Sequence, residues 1–454
     1  MFFSREKEIT ALSNLLKKPG HAALIYGKRR VGKTELIKHI STNHNLLYYE
    51  CIKDTLKENV RLFVNECKRN GINIPEYANF SSFIEVFDYL NSLDKHFLVA
   101  IDEYQYLKEL NSTSVVDSMF QTIIDRYISN LNLIISGSAI SMMKDLLVEG
   151  NPLYGRFSLT INLPELNYCE VSQFYEDLSI RDKVAFYAVF GGSPFINKQI
   201  EPKLTLKENI INTFLKEGSG IYNYADNVLI SDAVNELQAR RLLLALSNSK
   251  KKYSELLAIL DKEKSGVFNR SLKSLQDIEI VKKNSPINKT DDPKKTSYEI
   301  ADNVIRFYYT YVYKNKSRLA ILGPTLFYEE YIEPTINNYV SYRFESLVRD
   351  YFSLKAKNGS LKGIRNIGTY YYDDQHNKTN GEFDVALDIK DGYAIYEVKY
   401  LKTPLTKQQI LEEVKQIKQI EEINVLKIGF ISISGFKEPV SGYELINGED
   451  LYSF

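Results

Sequence analysis

Tryptophan is absent, only three cysteines occur among 454 residues, and the 58 basic and 58 acidic side chains leave no net charge. Cys51, Cys67 and Cys169 are an odd set with no CxxC pair, which excludes a disulfide framework and a thiolate zinc site. The balanced charge excludes a molecule drawn as a whole to nucleic acid or acidic membrane, so any such contact must come from a local patch. No apolar run reaches the ~18–20 residues that cross a bilayer, and MFFSREKEIT turns charged too soon for a signal peptide. A reducing cytoplasm, with no membrane partner, is the expected setting. The five histidines show no ligand spacing, and the 33 tyrosines are read as genome bias rather than as a base-stacking surface.

What is present is ordinary globular material, 44% apolar and 26% charged, over a length that calls for several cores. Residues 21–26, HAALIY, suit a buried strand, and TELIKHI (34–40) has helical spacing. Between them GKRRVGKT matches G-x-x-x-x-G-K-[ST], in which Gly27 and Gly32 let the backbone wrap phosphates while amides at the helix start point at the anion. The expected nucleotide contacts are Gly27, Lys28, Arg29, Arg30, Val31, Gly32, Lys33, Thr34 and Glu35, with Lys33 on the terminal phosphates and Thr34 on Mg²⁺.

Hydrolysis also needs a carboxylate at the metal and a group that orients water. FLVAIDEYQYL (97–107) supplies an apolar parallel strand with Asp102 and Glu103 at its carboxyl end, where open α/β sheets bind ligands. Asp102 is expected to hold Mg²⁺ and Glu103 to act as general base. A further strand, LNLIIS (131–136), ends in SGS, so Ser136 or Ser138 is a candidate γ-phosphate sensor.

FFSREKEITALSNLL, GKRRVGKTELI, LVAIDEYQYL, IISGSAISMM, NPLYGR and GGSPFI, in this order over about residues 1–240, resemble the AAA+-related archaeal-type ATPases, a branch near the signal-transduction (STAND) NTPases. The resemblance implies an arginine finger at Arg156, acting within or between subunits of a homo-oligomer; a structural arginine is the alternative. It also implies a lid shaped by Gly191, Gly192 and Pro194 and an adenine border from Phe3 to Glu6, where Ser4 replaces the family's usual glycine.

NELQARRLLLALS, YSELLAIL and SGVFNRSLKSLQ, the last capped by Ser265, read as three helices, and IEIVKK and TSYEIA as two strands, together a winged helix. From Lys250 to Lys295 twelve basic residues face seven acidic ones. DNA contacts are therefore expected from Asn269, Arg270 and Lys273 on the helix and Lys282, Lys283, Lys289, Lys294 and Lys295 on the wing, unless the element serves only as a mechanical one. ADNVIRFYYTYVYKNK (301–316) is an aromatic junction, expected to pack between domains.

In GEFDVALDIKDGYAIYEVK (381–399) a two-residue turn at Asp391-Gly392 would pair Lys390 with Tyr393 and Asp384 with Lys399. Asp384, Glu397 and Lys399 then emerge on one face, with Val385, Leu387 and Val398 on the other. This D-x(12)-E-x-K pattern resembles the PD-(D/E)XK nuclease superfamily over about 335–454, although Phe383 stands where that pattern has proline. The resemblance implies Mg²⁺ held by Glu345, Asp384 and Glu397, with Glu382 as a spare ligand, catalytic roles for Asp384, Glu397 and Lys399, and an accessory position at Lys415 and Gln416. A surface salt bridge is the alternative.

The expected fold is α/β. It comprises a P-loop AAA+-like parallel sheet (1–165), a helical lid (166–234), a winged helix-turn-helix with its junction (235–316) and a C-terminal restriction-endonuclease-like domain (317–454). The expected function couples ATP binding and hydrolysis to DNA binding, with cleavage by the last domain; the alternative is a STAND-type switch that binds a protein partner through a non-catalytic nuclease-like fold.

Overall fold

The computed structural model describes residues 4–42, 44–75, 78–222, 224, 236–259, 265–290, 292–374, 378–420 and 422–453. Phe3 and the Ser265 side chain lie outside this description. The chain forms two compact units, one of residues 1–166 with 193–195, the other of 167–192 with 196–454.

The first unit is a parallel five-stranded sheet in the order β2-β3-β4-β1-β5, with β1 His21–Tyr26, β2 Asn45–Glu50, β3 Phe97–Asp102, β4 Leu131–Gly137 and β5 Leu159–Asn162. Every residue of β3 and β4 is buried, as near-continuous apolar strands in a sheet covered on both faces must be. Alternation sends Leu24, Val99 and Ile101 to one core and Ala23, Ile25, Leu98 and Ala100 to the other.

In the second unit the segment expected as a lid is helical, but Tyr168, Val184, Ala185 and Ala188 pack into the C-terminal core with Val385, Leu387 and Tyr396. Tyr168 also donates its hydroxyl to Leu451 O at 2.7 Å and meets the Tyr452 ring edge-on at 5.1 Å. Helices Glu236–Leu246, Tyr253–Ile259 and Ser265–Asp277 follow, with β6 Lys251–Lys252, β7 Val281–Asn284 and β8 Ser297–Ile300 in a three-stranded sheet ordered β6-β8-β7. The aromatic run becomes helix Asn303–Phe307 and then a π-helical turn, Tyr308–Val312; another π turn spans Tyr328–Ile332.

The C-terminal sheet is mixed, ordered β13-β12-β11-β10-β9, from β9 Ile364–Asp374, β10 Thr379–Ile389, β11 Gly392–Lys399, β12 Val425–Ser432 and β13 Glu444–Asn447. Helix Ile336–Lys357 packs on the face of Val385, Leu387 and Tyr396, and helix Lys407–Lys418 on the face of Ala386, Ile395 and Phe430. The turn between β10 and β11 is Lys390-Asp391 rather than Asp391-Gly392, and Asp391 takes the left-handed conformation at φ 67°. Gly392 serves packing instead: a Cβ there would lie 2.6 Å from Asn424 O. The register is therefore Ile389 with Gly392 through Val385 with Tyr396, which shifts each pairing by two and keeps Val385 and Leu387 on one face, while a bulge between Phe383 and Ala386 interrupts the alternation at Asp384.

The loop after β7 docks on edge strand β9. Ile287 N donates to Thr369 O at 2.8 Å, and Asn288 exchanges hydrogen bonds with the Tyr371 backbone at 2.7 and 3.1 Å. Covering that edge removes an open template for strand pairing.

Candidate functional site

The phosphate loop follows β1. A Cβ on Gly27 would lie 2.2 Å from Leu163 O, and Gly32 begins helix Lys33–Ile40 at φ 97°, so each glycine answers a different constraint. Lys33, 6% exposed, donates Nζ to Gly27 O at 2.9 Å and Lys28 O at 3.0 Å, which seats its ammonium inside the loop. Val31 is 1% exposed and belongs to the core, so only its backbone can meet a phosphate. Lys28 reaches Glu165 at 3.6 Å, Arg29 donates to the Tyr106 hydroxyl at 3.0 Å, and Glu35 is exposed. Arg30 stacks over Phe195 at 3.9 Å. Ser4 and Arg5 both have positive φ, 59° and 75°, which accounts for a glycine preference at Ser4; the Arg5 guanidinium ties the turn to Pro164 O at 2.5 Å.

Thr34 donates its hydroxyl to Asp102 Oδ2 at 2.8 Å, and Tyr48 on β2 donates to the same oxygen at 2.7 Å. Burial and the Asp102 charge push the Tyr48 phenol well up, so it stays a donor. Glu50 is raised by partial burial and by the carboxylates of Asp102 and Glu103. This acidic strand end opposite a threonine hydroxyl fits Mg²⁺, which takes one or two protein carboxylates and completes its shell with phosphates and water. Glu103 sits at φ 51°, a sparsely populated conformation for a non-glycine residue, and its Oε2 accepts from Ser138 Oγ at 2.8 Å and from Gln105 Nε2. Ser136 Oγ is fully buried and has no hydrogen-bond partner among the described residues. Tyr48 and Gln105 were invisible to motif reading; strand alternation in NLLYYE was the only signal for the first.

Arg156 does not touch the phosphate loop. It grips Asp125 with Nε at 3.0 and 3.1 Å and Nη2 at 3.1 Å, and donates Nη1 to Pro152 O at 2.8 Å. Asn151 of the same NPLYGR stretch donates to Asp117 Oδ2 at 3.0 Å, where Lys108 at 2.8 Å and the Tyr104 hydroxyl also converge. The motif is thereby fastened at both ends to helix Thr113–Arg126.

In the C-terminal sheet the β10–β11 ladder ends at Val385 with Tyr396, so Asp384 and Glu397 are the next residues on the two strands. Burial and the Asp384 charge push Glu345 up to about 8, and burial followed by neighbouring carboxylates raises Glu397 despite Lys399. Lys399 is engaged by Glu413 at 2.6 Å and Glu397 at 3.4 Å, and it shares a cleft of about 340 Å³ with Glu413 and Gln416. Glu413 was missed because it arrives from a helix. Glu382 is paired with Lys250 at 2.7 Å. Among the described residues no group of three or more Asp, Glu, His or Cys side chains is placed to hold a metal ion.

Two of the expected DNA contacts are turned elsewhere. Lys282 pairs with the buried Glu299 at 3.1 Å, and Lys295 lies 3.5 Å over the Tyr371 ring. Asn269, Arg270, Lys273, Lys283, Lys289 and Lys294 remain exposed. Among the described residues no helix is long and apolar enough to cross a membrane.

Residues 2–196 match a family of ATPase domains predominantly from Archaea, and residues 308–417 match a family of archaeal and bacterial proteins of unknown function. Over 407 residues the chain is 27% identical to an uncharacterized protein of Methanocaldococcus jannaschii, covering 88% of each. An uncharacterized ATP-binding protein of the same organism is 26% identical over 318 residues, 56% of this chain and 85% of that one. The solved Walker-type ATPase of Pyrococcus abyssi superposes with a TM-score of 0.50 at 18% identity, covering 68% of this chain and 96% of that chain, a likeness of fold.

Proposed function

We propose that this archaeal-type P-loop ATPase is a switch that hydrolyses ATP with Mg²⁺ at residues 27–34 and passes the change to the rest of its chain. The observation that carries the reading is the Thr34 hydroxyl on Asp102 at 2.8 Å with Glu103 next in sequence. Backbone amides of the loop and the Lys33 ammonium would hold the phosphates, and Thr34 and Asp102 the Mg²⁺. When bound, the ion neutralises charge on the phosphate oxygens. Glu103 accepts the proton of the attacking water, and Ser138 fixes the carboxylate that does so. Arg30 supplies the link outward: it stacks on Phe195, in a three-residue stretch of the first unit joined covalently to the second at both ends. Arg156 serves to dock the NPLYGR loop through Asp125.

Lys33→Ala should weaken ATP binding on the order of 100-fold, the size of two lost charge-assisted hydrogen bonds, as titration calorimetry would read. Unchanged binding would remove the loop from the mechanism.

The output surface we assign to the three helices and small sheet of residues 236–300, a winged-helix arrangement whose exposed Asn269, Arg270 and Lys273 are its nucleic-acid-facing candidates. A second reading, nucleic-acid cleavage by a PD-(D/E)XK-like C-terminal domain, draws on Glu345 and Glu397, each raised by burial and also by the charge of Asp384. Lys399 is held by Glu413 at 2.6 Å, away from the free state a cleavage role would need, and this favours the switch. Incubated with DNA or RNA, Mg²⁺ or Mn²⁺, and ATP, the protein should leave nucleic acid intact; metal-dependent cutting abolished by Asp384→Ala would reverse that preference.

A further inference from the structure

The junction run 301–316, which the switch does not use, forms one wall of a cavity of about 720 Å³ within the second unit. That volume lies inside the roughly 300–1,000 Å³ range of small-molecule sites. Its lining includes Lys250, Arg306, Lys314 and Arg318 and contains no acidic residue. Lys250 is paired with Glu382 and Arg306 with Glu299, but Lys314 donates only to the Asn248 amide at 3.0 Å and Arg318 lies 5.3 Å over the Tyr331 ring. Neither Lys314 nor Arg318 has a carboxylate partner among the described residues.

Arg306 of the cavity wall, 4% exposed, shares the carboxylate of Glu299 with Lys282 and Arg343, at 2.8, 3.1 and 3.9 Å, and Asp350 adds a second carboxylate whose charge acts on the latter two. Arg343 Nε, buried, has no hydrogen-bond partner among the described residues. Of the three π-helical turns among the described residues two reach the cavity, through Thr310 and Tyr311 from Tyr308–Val312 and Tyr331 from Tyr328–Ile332, while Ile211–Leu215 does not line it. Such turns are rare and gather at functional sites.

Positive charge without acidic lining selects an anion. Space well beyond one phosphate, tyrosine rings and the amides of Asn248 and Asn338 select one that also carries a flat ring with donor and acceptor edges. We propose that this cavity binds a nucleotide separate from the ATP of the phosphate loop, its phosphate on Lys314 and Arg318 and its base among the tyrosines. The nucleotide is either free or one unit of a single strand, since stacking and phosphate contacts serve both.

The test uses the full chain carrying Lys33→Ala, so that the phosphate loop is silent. The four ribonucleoside 5′-monophosphates, inorganic phosphate and a polyglutamate peptide are titrated by calorimetry, and fluorescein-labelled 12-nucleotide single strands by anisotropy. A monophosphate or a strand should bind, and adding Lys314→Gln with Arg318→Gln should weaken it at least about tenfold, one charge-assisted hydrogen bond's worth. Both side chains are exposed, and an unaltered unfolding temperature verifies that the variant is folded. Binding of monophosphates identifies a free ligand; binding of strands alone identifies a polymer. The proposal is overturned if neither binds, if the double variant binds equally well, if inorganic phosphate binds as tightly as any nucleotide, or if polyglutamate is the only ligand.

Discussion

Glu103→Gln is expected to lower ATP turnover about 10³-fold while ATP stays bound, within the 10²–10⁴-fold range for loss of a positioned general base. The substitution keeps the shape of the side chain and its contacts with Ser138 and Gln105 but removes the charge that takes the proton. Binding should survive because, in the proposed site, the phosphates rest on the loop backbone and Lys33 rather than on Glu103. The φ of 51° at Glu103 strengthens the assignment, since a residue held in a sparsely populated conformation at a strand end is there for its direction. Single-turnover hydrolysis with radiolabelled ATP, run beside an equilibrium binding assay, separates the two effects. Equal loss of binding and turnover would make Glu103 a structural residue, and undiminished turnover would move the base elsewhere, with Glu50, whose carboxyl is coupled to Asp102 and Glu103, the next candidate.

Glu299→Ala destabilises the second unit by about 3–5 kcal/mol, because it strands buried cations without their counter-charge. Glu299 is 2% exposed and accepts from Arg306 Nη1 at 2.8 Å, Asn284 Nδ2 at 2.6 Å and the Tyr342 hydroxyl at 3.0 Å. Lys282→Met should change stability by less than about 1 kcal/mol, since its side chain is 35% exposed and two other cations remain on the carboxylate. Calorimetry on the full chain should show a drop of about 10 °C in one transition for the first variant and little for the second. The pH dependence has a definite sign. Burial opposes ionisation of Glu299, but Lys282, Arg343 and Arg306 outweigh it and hold the carboxyl well below its ordinary 4.5. A depressed folded value means that the stabilisation is complete above 4.5 and is lost as pH falls below it toward the folded value. Glu299→Gln should therefore differ most from the parent at neutral pH and approach it in acid.

Much of the first unit was legible because its signals are local. A fixed spacing around Gly27, Gly32, Lys33 and Thr34 and an apolar strand ending in Asp102 need no knowledge of distant chain. Tyr48, Glu413 and Glu299 were not legible, since each reaches its partner from another strand or helix. Charge counting found the basic stretch after Lys250 but could not give direction, and Lys282 and Lys295 proved to face protein. The Asp-Gly pair marked the correct hairpin one residue late, because Gly392 answers the approach of Asn424 and the turn's left-handed position falls to Asp391. The family resemblance implied a helical lid over 166–234 but could not say which core the helices of 167–192 would fill.

That last feature constrains how the protein can be taken apart. The carboxyl-terminal sheet draws part of its apolar floor from Tyr168, Val184, Ala185 and Ala188, more than a hundred residues upstream. A fragment cut out from residue 308 or 317 onward would bare that floor to water and forfeit the anchor between Tyr168 and Leu451. Recombinant dissection, or a chimaera that grafts this sheet onto another domain, has to carry 167–192 along with it.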